Sequence, residues 1–247
     1  MFRAELHIHT VLSPCAEIEM IPPLIVQAAL NKSIDIIAIT DHNASENFNA
    51  VQAAAENSNL VVLPGMELQT QEEVHVLCIF DTIEQLSQLQ SIVNKNINLV
   101  KNRPEYFGEQ FIVDQTGDYI RSEEKMLLIS TNISIEYASK IVRDLGGLFI
   151  PAHIDRNQYG ILLNLGFIPN NLHFDALELS QRINLANPPY ELFSYIEEYP
   201  CIKNGDAHQL DQILGLNKFY IEEPSIKEMI LALSGKNQRY FQVSDSL

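Results

Sequence analysis

The feature that most narrows the fold is a rhythm. Apolar runs of strand length recur along the chain, separated by segments with helical spacing. Residues 34–40 (IDIIAIT) and 60–63 (LVVL) are continuous runs of β-branched residues and leucine, the composition of strands covered on both faces. Residues 74–80, 148–152 and 202–204 read the same way, 176–179 and 219–221 more weakly, and Ala4-Glu5-Leu6-His7 reads as a first strand. Helical candidates fill the gaps. One opens at Pro22-Pro23 and runs to Asn31; others cover 45–57, 82–99, 134–145 (stopped by Gly146-Gly147) and 225–233 (stopped by Ser234-Gly235). Such βα alternation predicts an α/β fold with a parallel sheet, and about seven units predict a closed barrel. The length of 247 residues suits one such barrel, so 1–247 is expected to be a single domain. One stretch, 105–129, departs from the rhythm. Its FIVDQTGDYIR places the turn residues Gln115-Thr116-Gly117-Asp118 between apolar strands, which predicts a β-hairpin insertion.

Charge bears on partners. Sixteen basic and 32 acidic residues leave a formal net charge of −16. A field of that sign repels phosphate backbones at long range, so no extended duplex nucleic acid is expected as a partner. A small anionic substrate drawn to a local positive centre stays open. No apolar run reaches the ~18 residues of a membrane span, and the first residues lack a basic-then-apolar leader. Cys15, Cys78 and Cys201 are odd in number and widely spaced, which argues against a disulfide framework and for a reducing, cytoplasmic location. Oligomeric state has no signal in the sequence.

The chemistry lies in the seven histidines. His7 and His9 end the first strand at i, i+2 and so share a face. His42 follows IDIIAIT, Glu67 follows LVVLPGM, His75 lies within EVHVLCIF, His153 follows LFIPA, and Asp206 and His208 follow IKNG. An active site in a parallel barrel forms at the carboxyl ends of the strands, where these residues would converge. Neutral imidazole and carboxylate are the ligands of Zn²⁺, Mn²⁺ or Fe²⁺. A lone strand-end histidine is more often a hydrogen-bonded surface or core residue. Two i, i+2 pairs together with further strand-end histidines and a glutamate are hard to attribute to chance. His173, which ends no strand, reads as structural or solvent-exposed.

The segments LHIHT (6–10), TDH (40–42), Gly65-Met66-Glu67, the His75 run, Ala152-His153 and Gly205-Asp206-Ala207-His208 resemble, in order, the motifs of the PHP (polymerase and histidinol phosphatase) superfamily. The resemblance implies a distorted (βα)7 TIM-like barrel holding two or three divalent metals and hydrolysing phosphoesters. It implies that His7, His9, Glu67 and Asp206 bind one ion, that Glu67 bridges to a second held by His75 and His153, and that His42 and His208 hold a third. Glu67, Asp206 and His208 are then the catalytic residues. Cys15 occupies a position where several members carry a His or an Asp. It reads as a thiolate ligand or, equally, as an inert cysteine. Asp41 is expected to orient a ligand histidine rather than touch metal.

The expected function is a metal-dependent phosphoesterase. A metal-activated water would attack a small phosphorylated substrate: a phosphomonoester, a nucleotide or a short oligonucleotide end. Arg156 and then Arg182 are the candidates to clamp the phosphate, with Asn43 and Ser13 as further substrate contacts. Two rivals remain. An amidohydrolase-type C–N hydrolase also uses HxH on its first strand, but no lysine ends 74–80 or 148–152 to act as the carboxylated bridge many of them carry. A non-catalytic, metal-stabilised regulatory domain would be expected to have lost ligands, and almost all are present.

Overall fold

The computed structural model describes residues 1–169 and 172–244. Its strands, in chain order, are β1 (Phe2–Ile8), β2 (Ile36–Ile39), β3 (Val61–Gln69), β4 (His75–Ile79), β5 (Phe111–Val113), β6 (Tyr119–Ser122), β7 (Leu148–Pro151), β8 (Leu177–Ser180), β9 (Cys201–Asn204), β10 (Asn217–Tyr220) and β11 (Tyr240–Val243). The helices are α1 (Pro22–Asn31), α2 (Phe48–Ala55), α3 (Ile83–Asn96), α4 (Pro104–Phe107), α5 (Ile135–Asp144), α6 (Ile161–Leu165), α7 (Tyr190–Glu198) and α8 (Ile226–Leu233). Where the sequence offers caps, helices start on them. Thr82 and Gln85 form a capping box ahead of α3, Ser134 and Ser225 cap α5 and α8, and proline opens α1.

Seven strands form one curled sheet in the order β11-β10-β1-β2-β3-β4-β7, and β8 pairs with β9 beside it. The alternation of the buried runs gives the sheet two apolar faces. Ile37 and Ile39 of β2, with Val62 and Val76, pack against Ile25 of α1, Phe48 of α2, Leu89 of α3 and Val142 of α5. Ile36 and Ala38, with Leu63, Leu77 and Ile150, face Ile226 and Met229 of α8. At about 25 cal/mol per Å² of apolar surface removed from water, this two-sided burial is the main favourable contribution to folding.

The expectation of a parallel sheet needs one correction. β1, β2 and β3 run parallel, but β4 is antiparallel to both β3 and β7. No helix joins β3 to β4. The chain reverses over Thr70–Val74, where the Thr70 amide donates to the Val74 carbonyl at 2.9 Å and Glu73 takes a left-handed φ of 60°. His75 therefore begins its strand, yet the reversal brings it to the edge of the sheet where the other strands end. β10 and β11 add an antiparallel flap on the outer side of β1.

The insertion contains the expected hairpin, β5–β6. Asp114 Oδ1 accepts from the Thr116 and Asp118 amides at 2.8 and 3.0 Å, and Gly117 supplies the φ of 89° that the turn requires. Part of the loop before His173, residues 170 and 171, lies outside the described residues. His173 itself is exposed, with Asp175 Oδ1 4.0 Å from its Nε2. Among the described residues no helix is long and apolar enough to cross a membrane.

Candidate metal centre

Backbone pairing beyond the regular strands aligns the site. An isolated bridge joins His42 to Glu67, and another joins Ile8 to Ala207. The His9 amide donates to the Ala207 carbonyl at 3.0 Å and the Ala207 amide to the His7 carbonyl at 2.9 Å, which holds the His7–His9 pair beside Asp206 and His208. β2 and β3 approach so closely at Gly65 that a Cβ there would lie 2.9 Å from both the Ile39 carbonyl oxygen and Thr40 Cγ2. His153 and Asp206 sit just past β7 and β9 with φ of 30° and 48°. Non-glycine residues rarely adopt this conformation, and it costs of order 1–3 kcal/mol each unless the surroundings over-determine it.

The result is one buried cluster around Glu67. Its Oε1 lies 2.9 Å from His75 Nδ1, 3.2 Å from His153 Nε2 and 3.3 Å from His7 Nε2; its Oε2 lies 2.9 Å from His42 Nδ1 and 3.3 Å from His9 Nε2. Asp206 Oδ1 is 3.2 Å from the Nε2 atoms of both His7 and His9. Three groups of ligand atoms lie within 4.8 Å of one another: His7, His9 and Asp206; His42, Glu67 and His75; and His9, His42 and His208.

Hydrogen bonds on the far side of three rings decide which nitrogen faces the cluster. His7 Nδ1 donates to Glu178 at 2.9 Å. His9 Nδ1 donates to Ser13 Oγ at 2.9 Å, because that hydroxyl is itself donated to Asp41 at 2.7 Å. His208 Nδ1 donates to the Asp206 carbonyl at 2.9 Å. In each neutral ring the proton is then on Nδ1, and Nε2 offers a bare lone pair. His7 Nε2 and His9 Nε2 face each other at 3.2 Å, an arrangement that suits two acceptors only with a cation or a proton between them. His42 Nδ1, Glu67 Oε2 and Asp206 Oδ1 are buried without a hydrogen bond, although acceptors or donors lie close by. Buried polar atoms are rarely left so, and atoms of this kind directed at common points fit divalent cations.

The electrostatics point the same way. Burial pushes His42 down to about 3 and, with the charge on His9, His208 down to about 4. Burial also lowers His75. Burial opposes charge on His9, but the Asp206 and Glu67 carboxylates beside it outweigh that and hold it at about 9. Glu67 and Asp206 stay ionised against burial because histidines surround them. His42, His75 and His208 are thus held neutral and Glu67 and Asp206 ionised, the protonation states that metals require. His7 and His9, by contrast, are held charged by the carboxylates around them and would release a proton to a cation taking its place.

The other expected residues divide. Cys15 Sγ lies 3.1 Å from His208 Nε2 and lines the cavity, with its thiol pushed above the usual range by burial and by the Glu67 and Asp206 carboxylates. Arg156 lines the cavity and pairs with Asp206 Oδ2. Asp41 reaches His9 only through Ser13. Ser13 and Asn43, expected to touch substrate, are buried and committed elsewhere. Ser13 links Asp41, His9 and the His42 amide, while Asn43 Nδ2 donates to the Leu127 and Ile129 carbonyls of the insertion at 2.8 and 2.9 Å. Arg182 is exposed beyond β8 and is not among the cavity's lining residues. The cavity, about 240 Å³, is completed by Gln69, Leu128, Gln158 and Tyr159. The Tyr159 ring stacks on His75 at 4.4 Å with 2° between the planes. The sequence reading missed Tyr159 and Glu178. Glu178 was marked only by a charge inside an apolar strand run, and Tyr159 by nothing beyond its nearness to His153.

The family model described as "PHP domain" matches residues 5–160. A curated relative, the uncharacterized protein YqxK of Bacillus subtilis (strain 168), is 24% identical over 271 residues, which cover 96% of this chain and 62% of YqxK. Among solved structures, the lesion-specific endonuclease PfuEndoQ from Pyrococcus furiosus superposes with a TM-score of 0.70 at 17% identity, over 97% of this chain and 57% of the endonuclease. A complex of Endonuclease Q with a 27-mer duplex carrying an abasic lesion at its active site gives a TM-score of 0.63 at 18% identity, over 96% and 57%. The chain thus spans about six-tenths of the length of these proteins. The duplex complex overturns the expectation that extended duplexes are excluded. Net charge averages over a whole surface, whereas a duplex meets one face, and the similar Endonuclease Q holds a duplex with its lesion at the active site.

Proposed function

Because the chain belongs to the PHP domain family, we propose that it is a metal-dependent phosphoester hydrolase working at the Glu67 cluster. One observation carries the reading: Nε2 atoms of rings bonded behind through Nδ1, and carboxylate oxygens without a hydrogen bond, converge on common points in a buried cavity. His7, His9 and Asp206 would hold one ion. His42, Glu67 and His75 would hold a second, with His153 against the same Glu67 oxygen, and His9, His42 and His208, with Cys15 beside them, offer room for a third. Zn²⁺, Mn²⁺ or Fe²⁺ suits this donor set. Bound there, such ions lower the pKa of water towards neutrality and neutralise charge on a phosphoryl group.

The protein's own residues do the rest. Burial excludes bulk water from the His7, His9 and Glu67 side, while Arg156 stands half-exposed at the mouth. Its guanidinium, now on Asp206, would take two phosphate oxygens bidentately once substrate enters. Among the described residues no lysine lines the cavity, so the carboxylated-lysine bridge of a C–N hydrolase has no candidate there. A distorted (βα)7 barrel with this site at one rim is supported by the curl of the large sheet and by the parallel Ile8–Ala207 bridge, which brings the chain after β9 alongside β1. The three unpaired cysteines suit a reducing compartment such as the cytoplasm.

Phosphomonoesters, nucleotides, oligonucleotide ends and lesion-bearing duplexes form the substrate panel, the last because of the endonuclease neighbours. Release of phosphate or strand cleavage that needs added Mn²⁺ or Zn²⁺ and stops with chelator is the expected result. Turnover of an amide panel with no phosphoester turnover would refute the proposal.

A further inference from the structure

We propose that Glu178 is a positioning residue that fixes which nitrogen of His7 faces the metal centre. The inference rests on the metal-centre reading above and deepens it. Glu178 is buried in the middle of β8, in a run that is otherwise apolar, and touches neither the cavity nor solvent. A carboxylate so placed carries a large desolvation cost unless its lone pairs are used. All its partners are donors that come from ligand-bearing segments. His7 Nδ1 of β1 lies 2.9 Å from Oε1 and 3.0 Å from Oε2. The His153 amide, just past β7, donates to Oε2 at 2.9 Å. Asn204 Nδ2, two residues before Asp206, donates to Oε1 at 2.7 Å. One acceptor-only group thus ties three strand ends together and at the same time demands a proton on His7 Nδ1.

The orientation of Asn204 is itself fixed, since its Oδ1 accepts from the Leu6 amide at 3.0 Å and from Asn217 Nδ2 at 2.9 Å. It cannot turn over to accommodate a donor at position 178 without breaking both bonds. An amide in place of the carboxylate would put an N–H group against one of these donors. The readiest relief is for His7 to shift its proton from Nδ1 to Nε2, so that Nδ1 accepts from the amide. Nε2 would then point an N–H at Glu67 and Asp206 and could no longer ligate an ion. A buried carboxylate serving packing alone predicts no such effect.

The test compares the wild-type chain with Glu178→Gln and Glu178→Asp. Each is loaded with Co²⁺ or Zn²⁺ and challenged with graded chelator, then read by ions per chain, by Co²⁺ visible absorption and by the melting temperature of the metal-free chain. We expect Glu178→Gln to bind one ion at least tenfold more weakly, in the ~10–100-fold range for loss of an outer partner. The Co²⁺ spectrum should change while metal-free melting stays within a few degrees. Glu178→Asp keeps an acceptor-only group on a shorter arm and should bind that ion more tightly than Glu178→Gln. Wild-type affinity and spectrum in Glu178→Gln, the reverse order of the two variants, or metal loss matched by an equal fall in metal-free stability would each overturn the proposal. A wild-type chain that binds no ion overturns the metal-centre reading as well, whereas ions bound equally by wild type and Glu178→Gln overturn this inference alone.

Discussion

At the scale of single residues, the site is specified by what stands behind the histidines as much as by the histidines. Ser13 accepts from His9 Nδ1 only because Asp41 takes its own proton, and it also receives the His42 amide at 3.2 Å. Ser13→Ala should therefore weaken metal binding ~10–100-fold without emptying the fold of its core, measurable by chelator competition. Glu67→Gln should abolish hydrolysis with the circular dichroism spectrum unchanged, because an amide cannot balance the cations that five histidine nitrogens around it would bind. Cys15, 3.1 Å from His208 Nε2, should be shielded from alkylation while metal is bound and should label once a chelator has removed it. Equal labelling in both states would remove it from the site. The strand-end histidines, Glu67 and Asp206 were legible because i, i+2 spacing after an apolar run fixes the face. The burial of Ser13 and Asn43 and their bonds to protein groups were not legible, since sequence proximity to a motif does not say whether a side chain points inward or outward.

At the scale of elements, the insertion forms one wall of the site and is latched to it. Asn43 Nδ2 holds the Leu127 and Ile129 carbonyls, Asn43 Oδ1 accepts the Gln69 amide at 2.9 Å, and Leu128 reaches the cavity. Asn43→Ala strips the Gln69 amide and the Ile129 carbonyl of this partner, while the Leu127 carbonyl keeps the Ile129 amide; at ~1–3 kcal/mol for each of the two it should cost roughly 2–6 kcal/mol, and denaturant melts would measure it. Gly108 presses on the Cys15 loop with φ of 94°, where a Cβ would collide with the Pro14 carbonyl. Gly108→Ala should thus loosen that loop and lower stability together. The hairpin itself was legible from its DQTGD turn, and the helices from their caps. The direction of β4 was not, because an apolar run reads the same both ways and only the helix-free link over 70–74 decides it. β11 also escaped: YFQV is short, half-exposed and at the sheet edge, so neither burial nor length marks it.

At the scale of the whole molecule, a chain of net charge −16 gathers several carboxylates and histidines in one buried cavity. Cations there would relieve repulsion between Glu67 and Asp206 and bind the folded state alone. An ion present at 100 times its Kd adds ~2.7 kcal/mol of stability. For a chain of this size, chelation should then lower Tm by roughly 5–11 °C per ion, at ~2–4 °C per kcal/mol. A calorimetric scan with and without chelator reads this directly, and equal Tm values would argue against a metal bound in the fold. The βα rhythm made the α/β architecture legible, whereas net charge misled about partners because the fold sets which face meets substrate. Elemental analysis of the protein after reconstitution with Zn²⁺ or Mn²⁺ and exhaustive dialysis tests the account most directly. At least two ions per chain are expected, and fewer than one would contradict a metal centre at Glu67.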